Sequence, residues 1–181
     1  MKYYVLAWLL LLLSHESGAQ LIAWQDSTQL TWDDFKGRKP RKTKFAAATV
    51  SSVVLTYGKD SSDGSLTAEV QCLFDSRMSW KMHAKLRPYL LKHEQTHFDI
   101  TELYARKLRK AIEEYRRRPD ATYDDHGVYR KMYRKHVSQL NRYQNKYDRQ
   151  TRHSLRKAEQ HLWNVRIAKE LKDTEKWATK S

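Results

Sequence analysis

Residues 89–118 contain neither proline nor glycine, and this stretch constrains the fold of the chain more than any other. Pro88 comes directly before it, where proline suits the first turn of a helix. Within the stretch, apolar and histidine side chains recur at steps of three and four residues, as they do on one face of a helix. The positions that share this stripe are His93, His97, Thr101, Tyr104, Leu108, Ile112 and Tyr115. The pattern therefore predicts a long helix with two histidines on its buried face.

The motif His93-Glu94-Gln95-Thr96-His97 gives that helix a chemical interpretation. Residues four apart lie one turn apart on the same face, so both imidazoles can point at one metal ion. A catalytic zinc ion has three protein ligands and an open position for water. Glu94 lies at the edge of the same face, where its carboxylate can take a proton from that water. The alternative interpretation is two packed histidines beside a solvated glutamate.

A third zinc ligand has to come from another segment of the chain. Glu102 follows His97 by five residues, so it is rotated about 140° from the ligand face at 100° per residue. The other candidates within reach by sequence are His126, His136, Asp148 and His153. The residues alone leave the choice among these four open.

The first residues are typical of a secretory signal peptide. A basic start is followed by an apolar run at residues 5–13 and by the small residues Ser17 and Ala19. That run is too short to span a bilayer as a helix. We expect residues 1–19 to be removed by cleavage near Ala19. The mature chain is then secreted or periplasmic, with no transmembrane segment.

The charge of the chain indicates its class of partner, and its cysteine content bears on disulfide bonds. The chain of 181 residues has a formal net charge of +14. In an exported protein this charge indicates attraction to anionic envelope polymers, with no specific binding of nucleic acid. Its one cysteine excludes an intramolecular disulfide, and we expect Cys72 to be buried.

The other patterns predict an α+β fold. Residues 50–57 have the composition of a strand, residues 58–64 form a polar turn, and apolar side chains alternate over residues 66–74, which together indicate an antiparallel hairpin. Residues 30–32 are a further candidate strand. Helical periodicity after Pro119 indicates either one very long helix or two helices broken between about residues 147 and 155. We expect one domain over residues 20–181, with a small antiparallel sheet in residues 20–78 and a helical part in residues 79–181.

Three segments of the chain together resemble a known bacterial family. Residues 91–108 contain the histidine motif, residues 30–37 read Leu-Thr-Trp-Asp-Asp-Phe-Lys-Gly, and residues 147–153 read Tyr-Asp-Arg-Gln-Thr-Arg-His. They are similar to the signatures of domain of unknown function 922, a family of predicted secreted zinc-dependent proteases. The resemblance spans roughly residues 30–163. It implies a zincin-like domain, zinc as cofactor, and a peptide or protein as substrate.

The resemblance also implies roles for three residues near the end of the matched region. It gives His153 the role of third zinc ligand. Tyr147 and Asp148 become candidates for a transition-state donor or for a hydrogen-bond partner of a ligand. The alternative is that Tyr147 is a core residue and Asp148 forms an exposed ion pair. In the family a glycine usually follows this histidine, whereas this chain has Ser154.

The sequence thus predicts a secreted zinc metallopeptidase, a hydrolase in which Glu94 is the general base. We expect the hairpin of residues 50–74 to hold the substrate as an added strand. The alternative is a basic exported envelope-binding protein whose metal site is structural or absent. A closed site with four protein ligands favours that alternative, and an open coordination position beside a cleft favours the enzyme.

The leader gives the first testable prediction. The mature protein should begin at Gln20 and be found outside the cytoplasm, because the leader has the composition of a cleaved export signal. N-terminal sequencing of the protein from fractionated cells measures this. A leader retained in a membrane fraction would contradict it.

Overall fold

The computed structural model describes residues 21–59, 66–119, 121 and 126–179, so the expected signal peptide lies outside the described residues. Short antiparallel strands precede three helices, which confirms the predicted α+β class. The strands are β1 (Leu21–Ala23), β2 (Ala47–Ala48), β3 (Ser51–Lys59), β4 (Leu66–Asp75) and β5 (Trp80–Lys81). The helices are α1 (Pro88–Arg116), α2 (His126–Thr151) and α3 (Lys157–Asp173). In the described part of the chain, none of them has the length and apolar character needed to cross a membrane.

The predicted hairpin is the centre of a three-stranded antiparallel sheet with the order β1–β4–β3. Its register places Val53 opposite Cys72 and Leu55 opposite Val70. Because side chains alternate along a strand, these residues share one face. That face packs on α1, and Cys72 is buried in it as predicted. The third strand, β1, was not predicted because three residues are too few to show alternation. Within the described residues, a second sheet consists of β2 and β5.

Helix α1 is the core element of the fold. It contacts β3 and β4 on one side and α2 and α3 on the other. A helix that is covered all round buries more than one stripe of side chains. Accordingly, the predicted stripe is buried or partly buried, and so are residues outside it such as Phe98, Ile100 and Leu103. The site residues on α1 are therefore fixed by packing from both layers.

Residues 30–32 do not form the candidate strand. Trp32–Asp34 is a 3₁₀ turn, and the N–H of Leu30 donates to Oε1 of Gln95 over 2.7 Å. The side chain of Gln95 thus accepts a backbone hydrogen bond that a neighbouring strand would otherwise accept. Gln95 lies inside the histidine motif, so the same hydrogen bond attaches the N-terminal segment beside the site.

The long helical pattern after Pro119 is two helices, which confirms the second of the two alternatives. Helix α2 ends at Thr151, and Arg152, His153 and Ser154 follow with φ of 48°, 51° and 70°. The N–H of His153 donates to the carbonyl of Asp148 over 3.0 Å, the bond that closes a Schellman-type helix end. Ser154 thus occupies a left-handed conformation that glycine adopts without the cost of about 1–2 kcal/mol. A glycine, which the family resemblance implies at this position, would avoid that cost.

The approach of residues 36–37 to the segment after β4 generates a prediction about stability. A Cβ on Gly37 would lie 2.6 Å from the carbonyl oxygen of Arg77 and 2.7 Å from that of Ser79. Gly37→Ala should therefore lower the free energy of unfolding by roughly 1–3 kcal/mol, measured by chemical denaturation. Gly58→Ala is the control, because a Cβ there would meet no atom within 4 Å. Equal stability of the two variants would contradict this close backbone contact.

Candidate metal centre

Helix α1 brings its two motif histidines together at one point. The Nε2 atoms of His93 and His97 lie 3.1 Å apart, and the rings meet edge to face. His93 is only 2% exposed, and His97 is partly buried. Their spacing of one helical turn was predicted to aim both imidazoles at one ion. The geometry confirms that convergence.

A carboxylate from α2 completes a triangle of ligand atoms. Oδ1 of Asp148 lies 3.2 Å from Nε2 of His93 and 3.0 Å from Nε2 of His97. Ligand atoms around tetrahedral zinc lie about 3.3–3.4 Å apart when the bonds are 2.0–2.1 Å. The three atoms fit one small divalent cation after a slight expansion. His93, His97 and Asp148 are thus a group that could hold a metal ion.

The outer nitrogen of each imidazole is held by a glutamine side chain. Nδ1 of His97 lies 2.5 Å from Oε1 of Gln144, and Nδ1 of His93 lies 2.7 Å from Oε1 of Gln160. The amide nitrogen of Gln144 donates to the carbonyl of His97 over 2.9 Å, which fixes the orientation of that amide. The amide nitrogen of Gln160 donates to the hydroxyl of Tyr147, whose own proton goes to the carbonyl of His93. Both amide oxygens therefore accept hydrogen bonds from the Nδ1 atoms.

This arrangement determines the tautomer of both histidines. A neutral imidazole with its proton on Nδ1 has a lone pair on Nε2. Two such lone pairs and one carboxylate oxygen then face each other, and they repel unless a positive charge lies between them. Metal-binding histidines typically donate their other ring N–H to a fixed acceptor in this way. The donor set and the hydrogen bonds behind it fit a bound cation.

The closeness of these side chains shifts the pKa values of Asp148 and His97. When no metal ion is bound, a proton on Nε2 can supply the positive charge between these groups. Burial raises the pKa of Asp148, but hydrogen bonds from His93 and His97 in that protonated form outweigh burial and hold the pKa below its usual value. Burial lowers the pKa of His97, but the hydrogen bond to Asp148 and its charge outweigh burial and raise this pKa. Both shifts have one physical cause, which is a carboxylate held ionised beside the imidazoles. The site therefore attracts positive charge.

His153 lies at the site next to Asp148. Its Nδ1 is 3.2 Å from Oδ1 of Asp148, and its side chain is 47% exposed. The ring of Phe45 packs on it with the centroids 4.6 Å apart. The group whose ligand atoms all lie within 4.8 Å of one another contains Asp148 and does not contain His153. A ligand role for His153 stays a prediction.

Tyr147 lies behind the histidines. Its ring stacks on His93 with the centroids 4.6 Å apart and meets His97 edge to face at 4.8 Å. Its hydroxyl donates to the carbonyl of His93 over 3.3 Å, and burial raises its pKa far above the usual value. The hydroxyl is bonded to the main chain of His93 and the ring stacks on the imidazole, so Tyr147 helps to orient His93. It does not line the cleft in front of the histidines.

Glu94 and the group of His93, His97 and Asp148, the candidate metal-binding group, face the same cleft, which has a volume of about 770 Å³. Glu94 is 3% exposed, and its Oε2 accepts a hydrogen bond of 2.8 Å from the hydroxyl of Thr49. The lining of the cleft comes from three segments: residues 44–49 including β2, residues 85–97 including the start of α1, and residues 148–155. A substrate in this cleft would therefore meet Glu94 and the metal-binding group together.

Comparison with known proteins gives the chain a family. Residues 15–154 match the family described as "Bacterial protein of unknown function (DUF922)". The chain belongs to this family. The matched region contains the three segments on which the resemblance was based and ends at Ser154, in the left-handed turn. The description of DUF922 states no activity. No curated protein and no solved structure matches the chain significantly.

Three residues of this DUF922 site were missed by the sequence analysis: Thr49, Gln144 and Gln160. Gln144 gave a signal that could have been used, because it is a polar residue on the otherwise apolar stripe of α2. Gln160 and Thr49 gave none. Their roles depend on how other elements pack against α1, which local periodicity does not determine.

The glutamine behind His97 generates a prediction about metal affinity. Gln144→Leu removes the acceptor of the Nδ1 proton, so the imidazole is no longer held in its metal-binding tautomer. We expect affinity for Zn²⁺ to fall about 10–100-fold, measured by competition with a chromophoric chelator. Gln139→Leu, on the same helix and outside the cleft, is the control. Unchanged affinity in Gln144→Leu would contradict the tautomer argument.

Proposed function

We propose that this protein is a zinc-dependent peptidase that acts outside the cytoplasm. The observation that carries the proposal is that the carboxylate of Glu94 and the group of His93, His97 and Asp148 line one cleft. Export is the part of the proposal that rests on the leader sequence alone. Family membership is compatible with the proposal but adds no activity to it.

We assign the zinc ligands to His93, His97 and Asp148. Two imidazoles and one carboxylate are a ligand set found in catalytic zinc sites. In this assignment His153 is a hydrogen-bond partner of the Asp148 carboxylate, which supports the ligand from the exposed side. The ligand set implied by the family resemblance differs by placing His153 on the zinc. Three protein ligands leave a coordination position open, which supports an enzyme over the envelope-binding alternative.

Hydrolysis in this site depends on Glu94. Bound zinc supplies a Lewis acid that polarises a carbonyl and makes water more acidic. The carboxylate of Glu94 takes a proton from the attacking water and passes it to the leaving amine. The hydrogen bond from Thr49 holds one carboxylate oxygen, Oε2, so the other oxygen is left for the water. Burial of Glu94 keeps its carboxylate in one position during proton transfer.

The strand that would hold a peptide is β2 and not the hairpin of residues 50–74. Strands β3 and β4 contribute no residue to the lining of the cleft, whereas residues 44–49 form one of its walls. Within the described residues β2 pairs with β5 alone. A peptide can therefore add along the other edge of β2 by backbone hydrogen bonds. Such a peptide would lie beside Glu94, since Thr49 directly follows β2.

Replacement of the proposed base tests this function. Glu94→Gln should keep zinc and the fold but lower the rate of peptide cleavage by about 10²–10⁴-fold, because an amide cannot accept the proton. The measurement is cleavage of an unbiased peptide library, read by mass spectrometry, with the zinc content determined on the same samples. Glu114→Gln is the matched control, since Glu114 is an exposed residue of the same helix. A Glu94→Gln variant that cleaves as fast as the parent would exclude Glu94 as the base.

A further inference from the structure

The cleft in front of the metal centre is lined by positive charges. Its basic lining residues are Lys44, Lys85, Arg87, Arg149 and Arg152. Its acidic lining residues are Glu94 and Asp148, and both are already used by the proposed metal centre. Every carboxylate in the lining therefore has a role in the site. The five cations are available to a ligand.

Acidic side chains of the described residues do not neutralise these cations. Within the described residues, none of the five forms an ion pair with an acidic side chain, in contrast to Arg106 with Glu102 or Lys107 with Glu170. Arg87 donates to the hydroxyl of Tyr89, which carries no charge. An unpaired cation at the edge of a cleft retains its attraction for an anionic ligand.

The clefts of this protein differ in the balance of their charged lining residues. A second cleft, beside Trp24 and between α1 and α3, is lined by equal numbers of basic and acidic side chains. Its charged lining residues are Lys92, Arg106 and Lys172 against Asp26, Asp99 and Glu175. The cleft that contains the metal-binding group is thus more basic than this second cleft. A third cleft, lined by Lys107, Arg142 and Lys146, also has no acidic side chain, but it contains none of the metal-binding residues, and Lys107 is paired with Glu170.

The cations approach the cleft from three different segments. Lys44 precedes β2, Lys85 and Arg87 precede α1, and Arg149 and Arg152 lie at the end of α2. The ring contact between Phe45 and His153 brings the first and third segments side by side. A ligand that lies across the metal-binding group would therefore have cations on more than one side.

We propose that the cleft selects acidic peptide segments, with Asp or Glu side chains on both sides of the bond that is cleaved. This inference rests on the proposed peptidase function and names its substrate class. A peptide fits better than another anionic polymer because Glu94 is placed to act at a carbonyl and β2 offers backbone hydrogen bonds. Cations around a low-dielectric cleft raise the local concentration of an anionic substrate and lower that of a cationic one.

The test compares zinc-loaded protein on three fluorogenic peptides that share one core sequence. The residues that flank the core are Glu in the first peptide, Gln in the second and Lys in the third. We expect kcat/KM to be about 10-fold higher for the Glu peptide than for the Gln peptide at low salt, and lowest for the Lys peptide. The preference should shrink at 0.5 M NaCl, where the Debye length is only about 4 Å.

Two double variants localise the effect. Arg149→Gln/Arg152→Gln removes two cations of the cleft and should reduce the preference for Glu flanks several-fold. Arg130→Gln/Arg134→Gln removes the same charge from exposed positions of α2 outside the cleft and should leave the preference unchanged. Equal kcat/KM for the Glu and Gln peptides would overturn the inference. An equal loss of preference in both double variants would overturn it too.

Binding of the same labelled peptides to zinc-loaded Glu94→Gln separates this inference from the peptidase function. Failure to cleave any peptide, together with Glu-selective binding that Arg149→Gln/Arg152→Gln weakens, would refute the peptidase and support the acidic ligand class. Absence of both cleavage and Glu-selective binding would overturn the inference. Inorganic polyphosphate is a further probe, tested for binding beside the peptides. If it binds in the cleft and the Glu peptide does not, the ligand is a different anionic polymer and the inference is wrong.

Discussion

The structure of the site depends on one arrangement, the meeting of two imidazole lone pairs and a carboxylate oxygen at distances of 3.0–3.2 Å. The arrangement is held from behind, because Gln144 and Gln160 accept the Nδ1 protons and leave the Nε2 lone pairs facing each other. Such hydrogen bonds are typical of histidines that bind a metal ion. Three lone pairs that face each other repel, so the site is relieved by protonation of an imidazole or by binding a metal ion.

Packing around α1 makes this arrangement possible. The helix contacts β3, β4, α2 and α3, and this packing positions its two histidines beside residues of α2 and α3. Helix α2 delivers Asp148 and Gln144 from one face, while α3 delivers Gln160. The left-handed turn at residues 152–154 connects these two helices and directs the second one back along α1. One helix junction therefore supplies most of the partners of the two histidines, and also two of the cations in the cleft.

The sequence predicts the structure correctly where local geometry determines the position of a side chain or the type of an element. The spacing of His93 and His97, the burial of α1 and the β3–β4 hairpin follow from periods of 3.6 and 2. The sequence does not reveal β1, whose three residues carry no pattern. The strand predicted at residues 30–32 was wrong, because a side chain of α1 takes the place of a neighbouring strand there and Trp32–Asp34 is a 3₁₀ turn. The third ligand depends on where α2 ends, because residues on either side of a left-handed turn no longer follow helical angles. The ligand choice between Asp148 and His153 could therefore not be derived from spacing.

A crystal structure of the zinc-loaded protein tests the central claim most directly. The account predicts one zinc ion at about 2.0–2.1 Å from Nε2 of His93 and Nε2 of His97, and at a similar distance from Oδ1 of Asp148. The remaining coordination position should face Glu94 and the cleft. A zinc ion bound by His153 in place of Asp148 would support the ligand set that the family resemblance implies and would contradict the assignment made here. A site closed by all four side chains, or zinc bound elsewhere, would contradict the proposal of a catalytic metal centre.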